Sequence, residues 1–160
     1  MDVVIRTADR PGDLGWIVMA NAEVYAHQFG WSADYEALVA RIVADFANAQ
    51  DAARQRAWIA EAGGRRIGCV MCVDAGEGVA RLRLLLVTPE GRGHGVGSRL
   101  VEACLDFARR SGYRSIVLWT NSVLESARHI YERAGFELVA EDPHHSFGAD
   151  LIGQDWQLVL

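Results

Sequence analysis

Leu84-Leu85-Leu86-Val87-Thr88-Pro89-Glu90-Gly91-Arg92-Gly93-His94-Gly95-Val96-Gly97-Ser98 is the stretch that decides the fold. Leu84 to Val87 are apolar without alternation, the pattern of a strand in a sheet centre covered on both faces. Pro89 stops that strand. Gly93, Gly95 and Gly97 then let the backbone approach a ligand closely. A helix follows from about Gly95 to Arg110, with Leu100, Val101, Cys104, Leu105 and Ala108 on its core face and Gly112 at its end. The N–H groups of the loop and first helical turn have no partners within the helix, and the helix dipole places positive charge there. Such a terminus suits a pyrophosphate, and Arg92 adds a cation at its mouth.

Working outward, Val79 to Val87 is expected as one strand of an antiparallel meander. Ala57 to Ala60 and Ile67 to Val73 precede it, with turns at Gly63-Gly64 and at Ala75 to Gly78. Residues 2–7 read as a first strand. A helix is expected from Pro11-Gly12-Asp13 to about His27, facing the core with Trp16, Ala20, Val24 and His27, and Gly30 breaks it. A second helix, capped by Ser32, presents Tyr35, Leu38, Val39, Ile42 and Phe46; residues 47–54 read as its end and a loop. Downstream come a strand at Ser115–Trp119 and a helix to Ala134 opened by a Ser122/Glu125 capping box, with Gly135 as C-cap. Strands at Phe136–Ala140 and Gln154–Leu160 close the chain, with a loop from Glu141 to Gly153 between them. The order β-α-α-β-β-β-α-β-α-β-β gives an α/β fold, one mixed sheet of about seven strands with helices on both faces. Residues 1–160 are expected to form a single domain.

Composition narrows the chemistry. Hydrophobic residues are 51% and charged residues 23% of 160, which suits a folded domain rather than disorder. The net charge of −5 argues against nucleic acid as partner. All 16 basic residues are arginine, so no lysine is present to clamp a phosphate, form a Schiff base or act as a base. No apolar run approaches the length of a membrane span. The start, Met1 to Arg6, lacks the features of a signal peptide, so a cytoplasmic protein is expected. Cys69 and Cys72 have the spacing of a zinc or redox pair, but on a strand residues three apart face opposite ways. With Cys104 they are expected as buried, inert thiols, and no metal is expected.

Three ligands use loops of this kind. A Walker A site needs lysine and is excluded. A dinucleotide fingerprint needs a third glycine where Ser98 stands, and an acidic residue about 20 positions on, where Gly112 to Trp119 has none. The third is the pyrophosphate of coenzyme A.

The segment Arg92 to Gly97 resembles the Arg/Gln-x-x-Gly-x-Gly/Ala signature of the GCN5-related N-acetyltransferases. Leu84 to Pro89 is similar to that family's fourth strand, and Ser126 to Phe136, with Tyr131, to its later helix. Pro143 to Gly148, with Trp31 and Trp119-Thr120-Asn121, further resembles the acetyltransferase half of bacterial proteins that carry a MarR-like DNA-binding half. The resemblance implies acetyl-CoA as cosubstrate and a small-molecule or peptide amine as acceptor. It implies that the fourth strand parts from the fifth, freeing backbone N–H groups near Leu86 and Val87 to bind the thioester oxygen. Cofactor contacts are expected from Leu85, Leu86, Val87, Arg92, Gly93, His94, Gly95, Val96, Gly97, Ser98, Asn121, Ala127 and Tyr131.

The catalytic residues expected are Tyr131 as general acid, Leu86 through its amide, and Glu23 as a base. A phenol of pKa about 10 can protonate a leaving thiolate whose conjugate acid lies near 8.5; the alternative is that Tyr131 is a core aromatic on the stripe of Ala127 and Ala134. The outward positions of the fourth strand hold Arg81 and Arg83 where relatives carry a carboxylate. His27, Glu61 and His145 therefore stand beside Glu23 as candidates, each with a plain solvated or hydrogen-bonded reading. His144-His145 is too tight a pair to favour one ion. Arg81 and Arg83 suit an acidic substrate group or surface salt bridges, and Tyr25, Trp31, Tyr35 and Phe147 an aromatic pocket or the core. Oligomeric state is open, a homodimer through the terminal strand being one option. A non-catalytic acyl-CoA-binding module is the competing reading, and a nicotinamide or nucleotide enzyme a third.

Overall fold

The computed structural model describes residues 1–49 and 51–160. The expected element order is observed: β1 (Val3–Thr7), α1 (Asp13–Phe29), α2 (Ala33–Ala49), β2 (Arg56–Ala62), β3 (Arg65–Gly76), β4 (Val79–Val87), α3 (Val96–Arg110), β5 (Ser115–Asn121), α4 (Glu125–Ala134), β6 (Glu137–Ser146) and β7 (Ala149–Val159). A short 3-10 turn at Pro89–Gly91 joins β4 to the glycine loop. The loop expected over 47–54 includes Gln50, which lies outside the described residues.

The seven strands form one sheet in the order β1-β2-β3-β4-β5-β7-β6. The helices α1 and α2 cover one face, where Ile17, Val39 and Val43 pack on Ile59, Cys69, Met71 and Leu86. The other face carries α3 and α4, with Leu100, Val101, Cys104 and Tyr131 packed among Val70, Leu82, Ile116 and Leu118. Full burial of each such aliphatic side chain contributes roughly 1.5–3 kcal/mol. The expected core face of α3 is buried throughout. That of α1 is rotated: Asp13, Ile17, Asn21 and Tyr25 are buried with Ala20, while His27 is exposed.

Asp13 pins the start of α1 to the sheet. Fully buried, it accepts bonds from Arg6 of β1 at 2.8 and 2.9 Å, from Arg66 of β3 at 2.9 Å and from the Arg10 backbone at 2.9 Å. The Arg6 guanidinium holds its carboxyl well below the usual carboxylate range.

The chain beyond β5 departs from expectation. Glu141 to Gly153 is no loop: β6 and β7 form a hairpin paired from Glu137↔Gln157 to Ser146↔Ala149. As an edge strand β6 is exposed on nearly every residue and tolerates Pro143, so its composition imitates a loop. The hairpin tip is anchored by Phe147, whose carbonyl accepts the Ser32 N–H at 3.0 Å and whose ring packs on Trp31 and Tyr35. The terminal strand β7 lies inside the sheet, paired with β5 over residues 153–159 and with β6 over residues 149–157. The capping box is not made either: β5 continues to Asn121, whose carbonyl takes the Leu124 N–H at 3.0 Å, and α4 starts at Glu125 behind Leu124.

Candidate functional site

The site grows out of β4. Between Cys69↔Leu86 and Met71↔Arg83, β4 spends one residue more than β3, and Leu84 takes up the excess as a bulge with φ 56°. One extra residue reverses the faces of a strand. Leu82 therefore faces α3, but Leu84 and Leu86 face α1 and α2, whereas Leu85 and Val87 pack on the α3 side. This explains the missing alternation in Leu84–Val87.

Beyond the bulge β4 has no neighbour on one side. It runs parallel to β5 only at Val79↔Ser115, Ala80↔Ile116 and Arg81↔Val117, and then the strands part. Thr88 gives its N–H to Ile67 on β3 at 2.9 Å. Since amides alternate along a strand, Leu86, paired with Cys69, also points its N–H toward β3, and the Cys69 thiol donates to the Leu84 carbonyl at 3.2 Å. The amides facing the gap are those of Leu85 and Val87. The Leu86 amide, expected to face the gap, thus turns toward β3.

The glycine loop closes one end of this gap. Gly93 and Gly95 have φ of 81° and 70°, in the left-handed region, and Gly95 caps α3. The first helical bond runs from Arg99 N–H to the Gly95 carbonyl, and no backbone bond occupies the amides of Gly93 to Ser98. Gly97 is needed for a different reason: a Cβ there would lie 2.6 Å from Ile130 Cδ1, so its smallness lets α4 lie close to the loop. Arg92 reaches back to Gln28 of α1 at 2.9 Å.

The result is a groove of about 590 Å³ lined by Leu85, Leu86, Val87, Arg92, Gly93, Gly95, Val96, Gly97, Ser98 and Ala127 among the expected residues. His94 and Asn121 do not line it. His94 lies exposed in the loop, and Asn121, the last residue of β5, is buried with its amide oxygen 2.8 Å from His144 Nε2 and lines the second cavity instead. Sequence reasoning missed Ser126, His129, Ile130 and Arg133, one face of α4 that walls the groove. Their i, i+3, i+4, i+7 spacing was the available signal.

A second cavity of about 350 Å³ meets the groove at Tyr25, Leu85, Leu124 and Ala127. Tyr131 lies on this side. It is buried, its ring edge-on to Phe136 at 5.7 Å, and no described side chain bonds its hydroxyl. Burial pushes its phenol well above the usual tyrosine pKa. Tyr25, Trp31, Tyr35 and Phe147 form one cluster, with Tyr25–Trp31 centroids at 5.2 Å and Trp31–Tyr35 at 4.9 Å. All but Phe147 line the cavity. Trp119 adds another wall; its ring lies over Gly153, where a Cβ would come within 2.7 Å.

The base candidates do not reach this space. Glu23 and His27 are exposed together in a shallow depression beside Pro89 and Arg92. Glu61 is committed to Arg6 and Arg10 at 2.7 and 3.6 Å, and His145 to Asp150 at 2.9 Å on the exposed hairpin. Among the described residues no carboxylate or imidazole lines the second cavity. The thiols of Cys69, Cys72 and Cys104 are free and buried, Cys69 and Cys72 in cores on opposite faces. Among the described residues no helix is long and apolar enough to cross a membrane.

Residues 16–136 match the model of the acetyltransferase (GNAT) family. The chain is 38% identical over 85 residues to N-acetyltransferase family 8 member 2 of Rattus norvegicus, covering 50% of this chain and 38% of that one. It thus spans well under half the length of the curated relatives it matches. The fold is that of yncA from Salmonella typhimurium, solved with its cofactor acetyl-CoA, at a TM-score of 0.80 and 22% identity over 99% of this chain and 94% of that one. A ribosomal-protein-alanine N-acetyltransferase from Brucella melitensis superposes with a TM-score of 0.76 at 17% identity, covering 98% of this chain and 99% of that one.

Proposed function

The chain belongs to the acetyltransferase (GNAT) family, and from that premise we propose that it transfers the acetyl group of acetyl-CoA to a primary amine of a small molecule or peptide in the cytoplasm. One observation carries the reading: a groove with unbonded loop amides adjoins a second cavity, the two sharing Leu85, where β4 has left β5.

The donors fit a pyrophosphate-bearing cosubstrate. The amides of Gly93 to Ser98 and the end of α3 would hold the diphosphate, with Arg92 beside them. Acetyl-CoA supplies the activated acyl group. The amides of Leu85 and Val87 stand ready for the thioester oxygen, and one such preorganised donor is worth on the order of 3 kcal/mol. The second cavity holds the amine, whose nitrogen attacks the carbonyl carbon as the carbon–sulfur bond breaks. Tyr131 keeps its proton because burial disfavours the phenolate, and gives it to the departing sulfur. The attacking nitrogen gives up one proton to water as the amide forms, and water returns one to the Tyr131 phenolate, so no net charge is left behind. The cavity lacks an internal base, so the acceptor enters neutral, its proton lost to water.

That missing base favours a second reading, a non-catalytic acyl-CoA-binding module. Calorimetry with acetyl-CoA and a thiol-release assay over an amine panel separate the two. Binding with turnover on at least one amine supports the enzyme. Binding with no turnover above hydrolysis supports the module, and no binding removes both.

A further inference from the structure

The second cavity carries an unmatched charge. Arg81 and Arg83 lie two apart on β4, half-buried, and both line it. Neither forms an ion pair or a side-chain hydrogen bond among the described residues, although Arg6, Arg54, Arg65 and Arg66 are all paired. Arg83 also borders a neighbouring depression that holds Asp45, Asp51 and Asp74, but Asp74 is held by Arg54 at 3.8 Å, Asp45 acts on Arg83 only from a distance, and none of the three forms an ion pair with either arginine. Burial, and then the neighbouring Arg81 charge, pull the Arg83 pKa below its usual value. Two like charges held partly out of water are costly unless an anion joins them. The rest of the lining is aromatic or neutral: Tyr25, Trp31, Tyr35 and Trp119, with Asn21 and Asn121.

We infer that the acceptor is an amine bearing a carboxylate, which Arg81 and Arg83 grip at the end of the cavity away from the cofactor groove, while the aromatic walls hold an apolar or aromatic body. The inference rests on the acetyl-transfer reading for the orientation of the amine. Leu85 sits where the cavities meet, and two to four residues separate it from Arg83 and Arg81, at most about 7 to 13 Å along β4 and less where the Leu84 bulge bends the strand. Long guanidinium side chains can bridge part of that span, so an amino acid of moderate size fits with its nitrogen toward Leu85. A planar guanidinium also suits carboxylate oxygens in paired hydrogen bonds.

The test uses three probes on one aromatic frame: L-phenylalanine, L-phenylalaninamide and 2-phenylethylamine. Thiol release should favour the carboxylate over the other two by about tenfold or more in kcat/KM, mostly through KM. In an Arg81→Gln/Arg83→Gln double variant the ratio should fall to near one, and each single variant, checked for its melting temperature, should lose part of it. A ratio near one in the unaltered protein, or a ratio that survives in the folded double variant, overturns the inference. If acetyl-CoA binds and none of the probes turns over, acetyl transfer fails for this class. The subsite is then read by tryptophan fluorescence of the CoA complex: quenching by phenylalanine and not by its amide, lost in the double variant, upholds it, and equal or absent quenching overturns it.

Discussion

Thr88 gives its backbone N–H to the carbonyl of Ile67 at 2.9 Å, and that bond sets which amides of β4 face the cofactor groove. Counting back along the strand, Leu86 turns to β3 while Leu85 and Val87 turn to the gap left by β5. Leu85 thus stands where the two cavities meet and Val87 lines the groove, while Tyr131 lines the second cavity.

Replacing Tyr131 with phenylalanine should lower kcat by about 100-fold, the low end of general-acid effects, with little change in the acetyl-CoA dissociation constant. The pH profile is a sharper check. Because burial raises the Tyr131 pKa, the acidic form persists above pH 10 and no falling limb from it should appear below that pH. The rising limb of kcat/KM should follow the pKa of whichever amine is used, since the cavity has no base of its own. A fixed limb near pH 6.5 that ignores the amine would refute this picture.

Gly93→Ala and Gly95→Ala should weaken acetyl-CoA binding without unfolding the domain. No atom lies within 4 Å of a Cβ at either position, so the cost is the left-handed backbone, on the order of 1 kcal/mol each. Calorimetry should show about a fivefold to tenfold loss in affinity for each as the loop relaxes, with the melting temperature shifted by only a few degrees.

Gly153→Val should act on the acceptor and not on the cofactor. A branched side chain at Gly153 collides with the Trp119 indole and pushes it toward the second cavity. The acceptor KM should rise by about tenfold or more while the acetyl-CoA affinity stays within about twofold; equal loss of both would show that Trp119 does not border the acceptor space.

Asp13→Ala should cost about 3 kcal/mol, because it removes the buried partner of Arg66 and leaves Arg6 with Glu61 alone. The pH dependence has a definite sign. The Asp13 pKa is lower in the folded chain than in the unfolded one, so its contribution is complete above about pH 4 and shrinks as the pH falls toward the folded value. Denaturant titrations should show the unaltered protein losing stability below pH 4 more steeply than Asp13→Ala.

The sequence by itself determined the element order, the faces of α2 and α3, the glycine loop before α3, and the Tyr131 helix. These signals are local: apolar periodicity, breakers and a loop whose function lies in its own amides. It misplaced what depends on distant partners. The bulge at Leu84 exists only against β3, and it decides both which β4 amides face the gap and how the faces of Arg81 and Arg83 relate to those of Leu85 and Val87. The polar run Glu141 to Gly153 becomes a hairpin only because β5 offers β7 an edge and Trp31 and Tyr35 receive Phe147. Glu23 and Glu61 are equally plausible bases along the chain; tertiary structure puts one outside the cavity and ties the other to arginines. Strand parity and cavity lining are set by pairings and packing between segments far apart in sequence, which no local pattern encodes.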